Sequence, residues 1–277
     1  MTLTRKTQIG LLLAALVLFV LLFLAPKTPS VHKTDAEVVN VNDLNKSTIE
    51  DYLLKQVNSL KSEDKELYES LIKQASKSTI DTAFISVVKF WDKRKFPDLA
   101  SFFVEKIANK VQTSDGFLKA GNRYYYSIRF INDTKEVEIL YQSAIRCFNK
   151  AIEKDANNTD AKIQLASCYV ENGKDPMRGI TLLREIEKTD SNNVKLQLSF
   201  AFFSVKSGQF DKAIQRFNKV LQIDPLFIEA YLHLADVYER QGDKNKTIEM
   251  LTKYVSVTDD ATAKQEIIKY IQQLKNK

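Results

Sequence analysis

The sequence predicts an all-α fold: a solenoid of stacked antiparallel helix pairs preceded by a single N-terminal transmembrane helix. Three observations predict it. Gly173, Gly208 and Gly242 stand 35 and 34 residues apart in a 277-residue chain with only seven glycines, an interval that marks stacked supersecondary units. Around those glycines, apolar residues recur at spacings of three and four and so share one helix face. Ahead of the repeats, the 17 residues from Ile9 to Ala25 are all apolar or small and carry no charge.

Residues 1–7 form a short leader containing Arg5 and Lys6, and residues 8–25 follow as the membrane segment. Seventeen residues of helix reach roughly 26 Å, the short end of what crosses a bilayer. A cleaved signal peptide and a buried soluble helix are the alternatives. Against cleavage, the segment is long for a signal core, lacks a small-x-small site and runs into Pro26. On the far side Lys27 and Lys33 are offset by Asp35, Glu37 and Asp43. Lysine and arginine alone nearly tie, so the leader's brevity decides for a cytoplasmic amino terminus. Residues 26–45 lack a sustained helical stripe and read as a tether.

The repeat domain is expected over residues 46–261. Residues 46–77 suggest two amphipathic helices from Tyr52, Leu53, Val57 and Leu60, then Leu67, Leu71 and Ile72. A degenerate pair surrounds Trp91, with Pro97 suited to the first turn of its second helix. A further pair joins Ala120, Gly121 and Tyr124 to a second helix at 139–158 across an insertion of about ten residues. Three clear units follow, 159–193, 194–227 and 228–261. In the middle one, Phe210, Ala213, Ile214, Phe217, Val220 and Leu221 line one face of the second helix, and Pro225 closes it. Residues 262–277 read as a polar capping helix, which an open stack needs for solubility.

Composition argues against several chemistries. The net charge of +6, from 41 Lys and Arg against 35 Asp and Glu, is mild for this length. The basic residues interleave with acidic ones, whereas a nucleic-acid binder clusters them. The two histidines, His32 and His233, form no metal-binding spacing, so no metal, catalytic or cofactor-binding residue is assigned. The string "NGKD" has a Gly-Lys pair, but Cys168 stands where a phosphate-cradling loop needs its earlier glycine. Cys147 and Cys168 fall on adjacent helices, where a disulfide is conceivable in an oxidising compartment. Two small buried hydrophobes are the simpler reading.

At the three clear units the chain resembles the tetratricopeptide repeat (TPR) family. The small residues Ala166, Ala201 and Ala235 in the first helices, the glycines and Pro225 carry the resemblance. Thr247 and Gly179 stand where that family usually has alanine, and Ser204 replaces one aromatic residue. The resemblance implies a non-enzymatic protein that binds other proteins through a groove lined by first helices. Carried over residue by residue, the groove positions are Ile163, Ser167 and Val170, then Leu198, Phe202 and Val205, then Leu232, Asp236 and Glu239. The lysine, arginine and asparagine with which well-known members grip a peptide carboxylate are missing there. The first helix carried by the run at 194–205 is apolar on nearly every side, which predicts burial all round, under the chain's own helices or under a partner.

The layout of one amino-terminal anchor and a repeat domain is similar to that of the ancillary translocon subunits of bacteria. It implies a single-pass protein of the inner membrane whose repeats face the periplasm and assist protein transport, folding in a chaperone-like role, or complex assembly. Its partners would be membrane-complex subunits or exported polypeptides, with the bilayer held through residues 8–25, and no nucleic acid is expected. A cytosol-facing receptor and a purely structural subunit of a membrane complex are the alternatives.

Overall fold

The structure, a computed structural model, describes residues 41–78 and 83–276, with side chains from Ile49 onward. The leader, the apolar segment 8–25 and most of the tether lie outside the described residues. Asn45–Lys277 forms one compact unit, and Val41–Leu44 is the described end of a separate one. No described helix is long and apolar enough to cross a membrane.

Thirteen α-helices are described: α1 (Val41–Ser59), α2 (Ser62–Lys77), α3 (Ile85–Lys93), α4 (Pro97–Val111), α5 (Ser114–Ser127), α6 (Thr134–Lys154), α7 (Thr159–Asn172), α8 (Pro176–Thr189), α9 (Val194–Lys206), α10 (Phe210–Ile223), α11 (Glu229–Arg240), α12 (Lys244–Val257) and α13 (Ala261–Asn276). There is no strand among the described residues. Successive helices from α3 to α12 pair off, and α13 packs on α12 as the cap. Two sequence expectations shift at their edges. Residues 41–45, read as the end of the tether, are helical in α1. The insertion before residue 139 is largely helix, because Asp133 caps the amides of Lys135 and Glu136 and starts α6 early. Only Ile128–Asp133 remains as a connection, with a 3-10 turn at Ile128–Phe130.

The glycines that set the sequence period have one backbone role. Gly173, Gly208 and Gly242 adopt φ of +74°, +71° and +78°, the left-handed conformation that ends a first helix and turns the chain into the second. Gly179 is different. A Cβ there would collide with the Ala166 carbonyl oxygen and lie 2.7 Å from the Val170 side chain. The α7–α8 crossing is thus too close even for the alanine usual at this place.

The core runs along the stack in three clusters. One extends from Ile49 to Cys168 around Trp91, Phe103, Phe117, Tyr124 and Phe148. A second, from Ala201 to Ile271, lies around Phe217 and Leu234. Between them Ile163, Leu183, Leu196 and Phe200 form a third. Cys147 and Cys168 are free and buried.

One polar network lies inside the first cluster. Glu105 on α4 is 7% exposed. It accepts two hydrogen bonds from Arg146 on α6, at 3.0 and 2.8 Å, and one from the Tyr124 hydroxyl on α5 at 2.9 Å. Burial alone would raise the Glu105 carboxyl, but the hydrogen bonds and charge of Arg146 outweigh it and hold the carboxyl below its ordinary value.

Candidate functional site

First helices form the inner side of the stack. Helix α5 touches α7 and α7 touches α9, whereas α6, α8 and α10 meet the following unit through its first helix. The nine residues predicted for the groove all lie on these first helices, but the structure divides them. Ile163 is 3% exposed and belongs to the third cluster, with Leu183 and Leu196. Ser167 is 7% exposed and donates to the Ile163 carbonyl at 3.1 Å. Both are core rather than groove wall, because α9 packs directly against α7. Val170 is half-buried against the same cluster.

Around α9 and α11 the face is open. Asn193 caps α9 by accepting from the Leu196 amide at 3.1 Å, which fixes the register of the helix. Leu196, Gln197, Phe200, Ala201 and Phe203 then point inward and are buried. Phe202 is 43% exposed. Of the two covers that the sequence allows for α9, the chain's own helices leave one large aromatic ring open on the inner face. Leu198 and Val205 of α9 and Leu232 of α11 lie half-buried beside the second cluster. Asp236 and Glu239 are exposed. Asp236 accepts from Arg240 at 2.9 Å, and Glu239 accepts from the Tyr270 hydroxyl of the cap helix.

Phe202 is held from beneath. Its ring meets Phe217 edge-on, with centroids 5.5 Å apart, and His233 edge-on at 4.9 Å, while His233 stacks on Phe217 at 5.2 Å. Burial holds the His233 pKa below its ordinary value against the opposing pull of Asp236 and Glu229. The arrangement is an aromatic trio spanning three helices with one ring open to solvent. It offers an anchor for apolar or planar side chains. Among the described residues no group of three or more His, Cys, Asp or Glu could hold a metal ion.

Sequence reasoning missed His233 and Phe217 as partners of Phe202. The periodicity places each on its own helix but carries no information about which rings meet between units.

Comparison with known proteins agrees with this geometry. Residues 205–242 match a family model described as TPR repeat, and residues 229–257 match one described as tetratricopeptide repeat. The matched residues hold α10, α11 and α12. Superkiller protein 3 of Schizosaccharomyces pombe is 29% identical over 106 residues, 36% of this chain. The match spans only 8% of that relative's length. Among solved structures, TTC0263, a thermophilic TPR protein of Thermus thermophilus, superposes with a TM-score of 0.50 at 14% identity, covering 69% of this chain and 98% of that one. That likeness concerns the fold alone. MamA from Desulfovibrio magneticus RS-1 gives a TM-score of 0.47 at 15% identity, covering 66% of this chain and 99% of that one.

Proposed function

We propose that this chain is a non-enzymatic, membrane-anchored scaffold whose repeats bind other proteins on the inner face around Phe202. The observation that carries the reading is the exposed Phe202 ring. A large aromatic anchor seated on buried rings and bordered by half-buried Leu198, Val205 and Leu232 has the make-up of an interface centre. The repeats over 205–257 support it, because stacked repeats of this kind present surfaces rather than catalytic clefts. The charge-free segment Ile9–Ala25 supports the anchor, and Arg5 with Lys6 supports a cytoplasmic amino terminus. On this reading the repeats lie outside the inner membrane and assist export, folding or assembly of envelope proteins.

The test purifies the full chain and its Phe202→Glu variant in mild detergent and compares the proteins that accompany each. Selective loss of partners from a variant that still melts like the parent supports the reading, and an unchanged set of partners overturns it. A reporter fused after Lys277 tests the orientation. Activity only as an exported protein is expected, and activity in the cytosol would reverse the topology.

A further inference from the structure

Every chain reversal from a first helix into its second lies on one long edge of the stack, because the two helices of each pair are antiparallel. Bonds between units tie this edge together. Arg123 near the end of α5 pairs with Asp92 at the end of α3, Lys174 after α7 pairs with Glu138 near the start of α6, and Gln241 after α11 donates to Asp211 at the start of α10 at 3.1 Å. Returns from second helices to the next unit line the opposite edge, where the Asn158 amide donates to Ser114 at 2.8 Å and Lys195 pairs with Asp160.

This geometry sorts the basic and acidic residues that interleave along the sequence. Counting four residues into each flanking helix, the five turns from α3–α4 to α11–α12 carry twelve Lys and Arg against nine Asp and Glu, and the five returns from α4–α5 to α12–α13 carry six against ten. The α1–α2 turn, tied to the first edge by Arg94 and Asp64, is balanced, with Lys61 and Lys65 against Glu63 and Asp64. Most carboxylates of the basic edge are engaged. Asp98 is buried, and Asp133, Asp175 and Asp243 face backbone amides as caps of α6, α8 and α12. Asp92 pairs with Arg123, and Asp211 and Glu239 accept from Gln241 and Tyr270, which leaves Glu136 and Glu171. By contrast Lys93 and Lys95, Arg129 and Lys135, and Lys206 and Lys212 are exposed and hold no ion pair among the described residues.

Large apolar side chains stand on the same edge. Tyr126 and Phe130, both more than half exposed, meet edge-on with ring centroids 5.1 Å apart, and the Arg129 guanidinium lies 5.9 Å over Tyr126. Met177 is open to solvent on the next turn. Aromatic rings with cations beside them suit a bilayer–water boundary, where rings enter the headgroup level and cations meet anionic lipid. The charge-free segment Ile9–Ala25 brings a bilayer within reach, since the 15 residues between Ala25 and Val41 span at most about 50 Å fully extended.

We infer that this edge of the stack rests on an anionic bilayer surface, with Tyr126 and Phe130 at the headgroup level and the cations of successive turns against lipid phosphates. Cations repeated at every turn suit an extended charged surface rather than one acidic segment, and the paired rings select a surface with a hydrocarbon interior. The acidic edge then points away from the bilayer, and the inner face around Phe202 stays open to the side. The inference rests on the anchor reading for the nearness of that bilayer.

The test places a polarity-sensitive fluorophore on Phe130→Cys in the full chain, whose own Cys147 and Cys168 are buried. The labelled chain is reconstituted into phosphatidylcholine vesicles with and without phosphatidylglycerol, all containing a nitroxide-bearing lipid as quencher. Quenching is expected with phosphatidylglycerol and is lost without it or at high salt. A label on Leu226→Cys, highly exposed on the opposite edge between Asp224 and Glu229, should be quenched in neither vesicle. Lys95→Glu with Lys135→Glu should abolish the quenching at Phe130. Lys154→Glu with Lys188→Glu, the same change in net charge on the acidic edge, should leave it in place. Equal quenching at Phe130 and Leu226, quenching indifferent to phosphatidylglycerol, or equal effects of the two charge reversals overturns the inference. An unquenched label in every vesicle overturns it too, and binding of duplex RNA that Lys95→Glu with Lys135→Glu removes would then assign the edge to nucleic acid. Flotation reads the anchor separately. Co-flotation with neutral vesicles supports the anchor whatever the label reports, and co-flotation only with anionic vesicles at low salt, the label still quenched, removes the anchor and keeps the inference.

Discussion

Arg146→Met removes two of the three hydrogen bonds that hold the buried Glu105 carboxylate and leaves the Tyr124 hydroxyl and the weaker pull of the Lys150 charge. Methionine keeps the apolar stem, so the loss is mainly one of charge pairing. Breaking a buried pair from one side costs about 3–5 kcal/mol, because the remaining ion is left without compensation. The carboxylate has one escape, which is to take a proton. From an ordinary glutamate value near 4.3, that costs about 1.36 × 2.7, or about 3.7 kcal/mol, at pH 7 and only about 1 kcal/mol at pH 5. The variant should therefore be about 3–4 kcal/mol less stable than the parent at pH 7, with the deficit shrinking toward about 1 kcal/mol at pH 5. In the parent, the Glu105 carboxyl lies below its unfolded value. Its contribution is then complete above that value and is lost only as pH falls through the lower folded one. Urea unfolding followed by circular dichroism at both pH values measures the difference. A deficit that is the same at pH 5 and pH 7, or below about 1 kcal/mol at pH 7, would refute the assignment of Glu105 as a buried carboxylate held by Arg146.

Other consequences are open to the same assay. Gly179→Ala places a methyl group against the Ala166 carbonyl oxygen and the Val170 side chain, and should cost about 1–3 kcal/mol as α7 and α8 are forced apart. A neutral result would show that the crossing can widen freely. Ala201→Leu overpacks a fully buried position and should cost about the same, seen as a lowered melting temperature. His233 resists protonation in the folded chain, so the unfolded chain binds more protons just below the ordinary imidazole value. Stability should then fall as pH drops through about 6.5 and level off below the folded value, and His233→Gln should flatten that slope. Cys147 and Cys168 should react with a thiol reagent only on unfolding, because both thiols are buried and their pKa values are pushed up, chiefly by that burial.

Periodicity made the skeleton of the repeats legible. The glycine interval required a residue able to take positive φ at each first-helix end, and Gly173, Gly208 and Gly242 all do so. Capping explains where the reading slipped. Asp133 starts α6 five residues before the apolar stripe becomes obvious, since a cap acts through the backbone and leaves no period. Gly179 looked like a lapse from the expected alanine, and the reason became visible only when the α7 backbone was placed against it. The groove was half legible. Family positions assume an even step between units, and α9 packs so closely on α7 that Ile163 and Ser167 are enclosed while Phe202 emerges. The Glu105, Tyr124 and Arg146 network joins residues 19 and 41 apart on three helices, and no local pattern marks such a meeting.

The central claim is that partners bind the inner face at Phe202. Photo-crosslinking from an unnatural benzoyl-phenylalanine placed at Phe202 tests it most directly, with the same residue at Met177, which is more open to solvent at the start of α8, as the comparison. In the cells that make the protein, the account predicts a discrete crosslinked product from Phe202 that is absent from Met177. Equal crosslinking from both positions, or none from Phe202 while partners still co-purify, would contradict it.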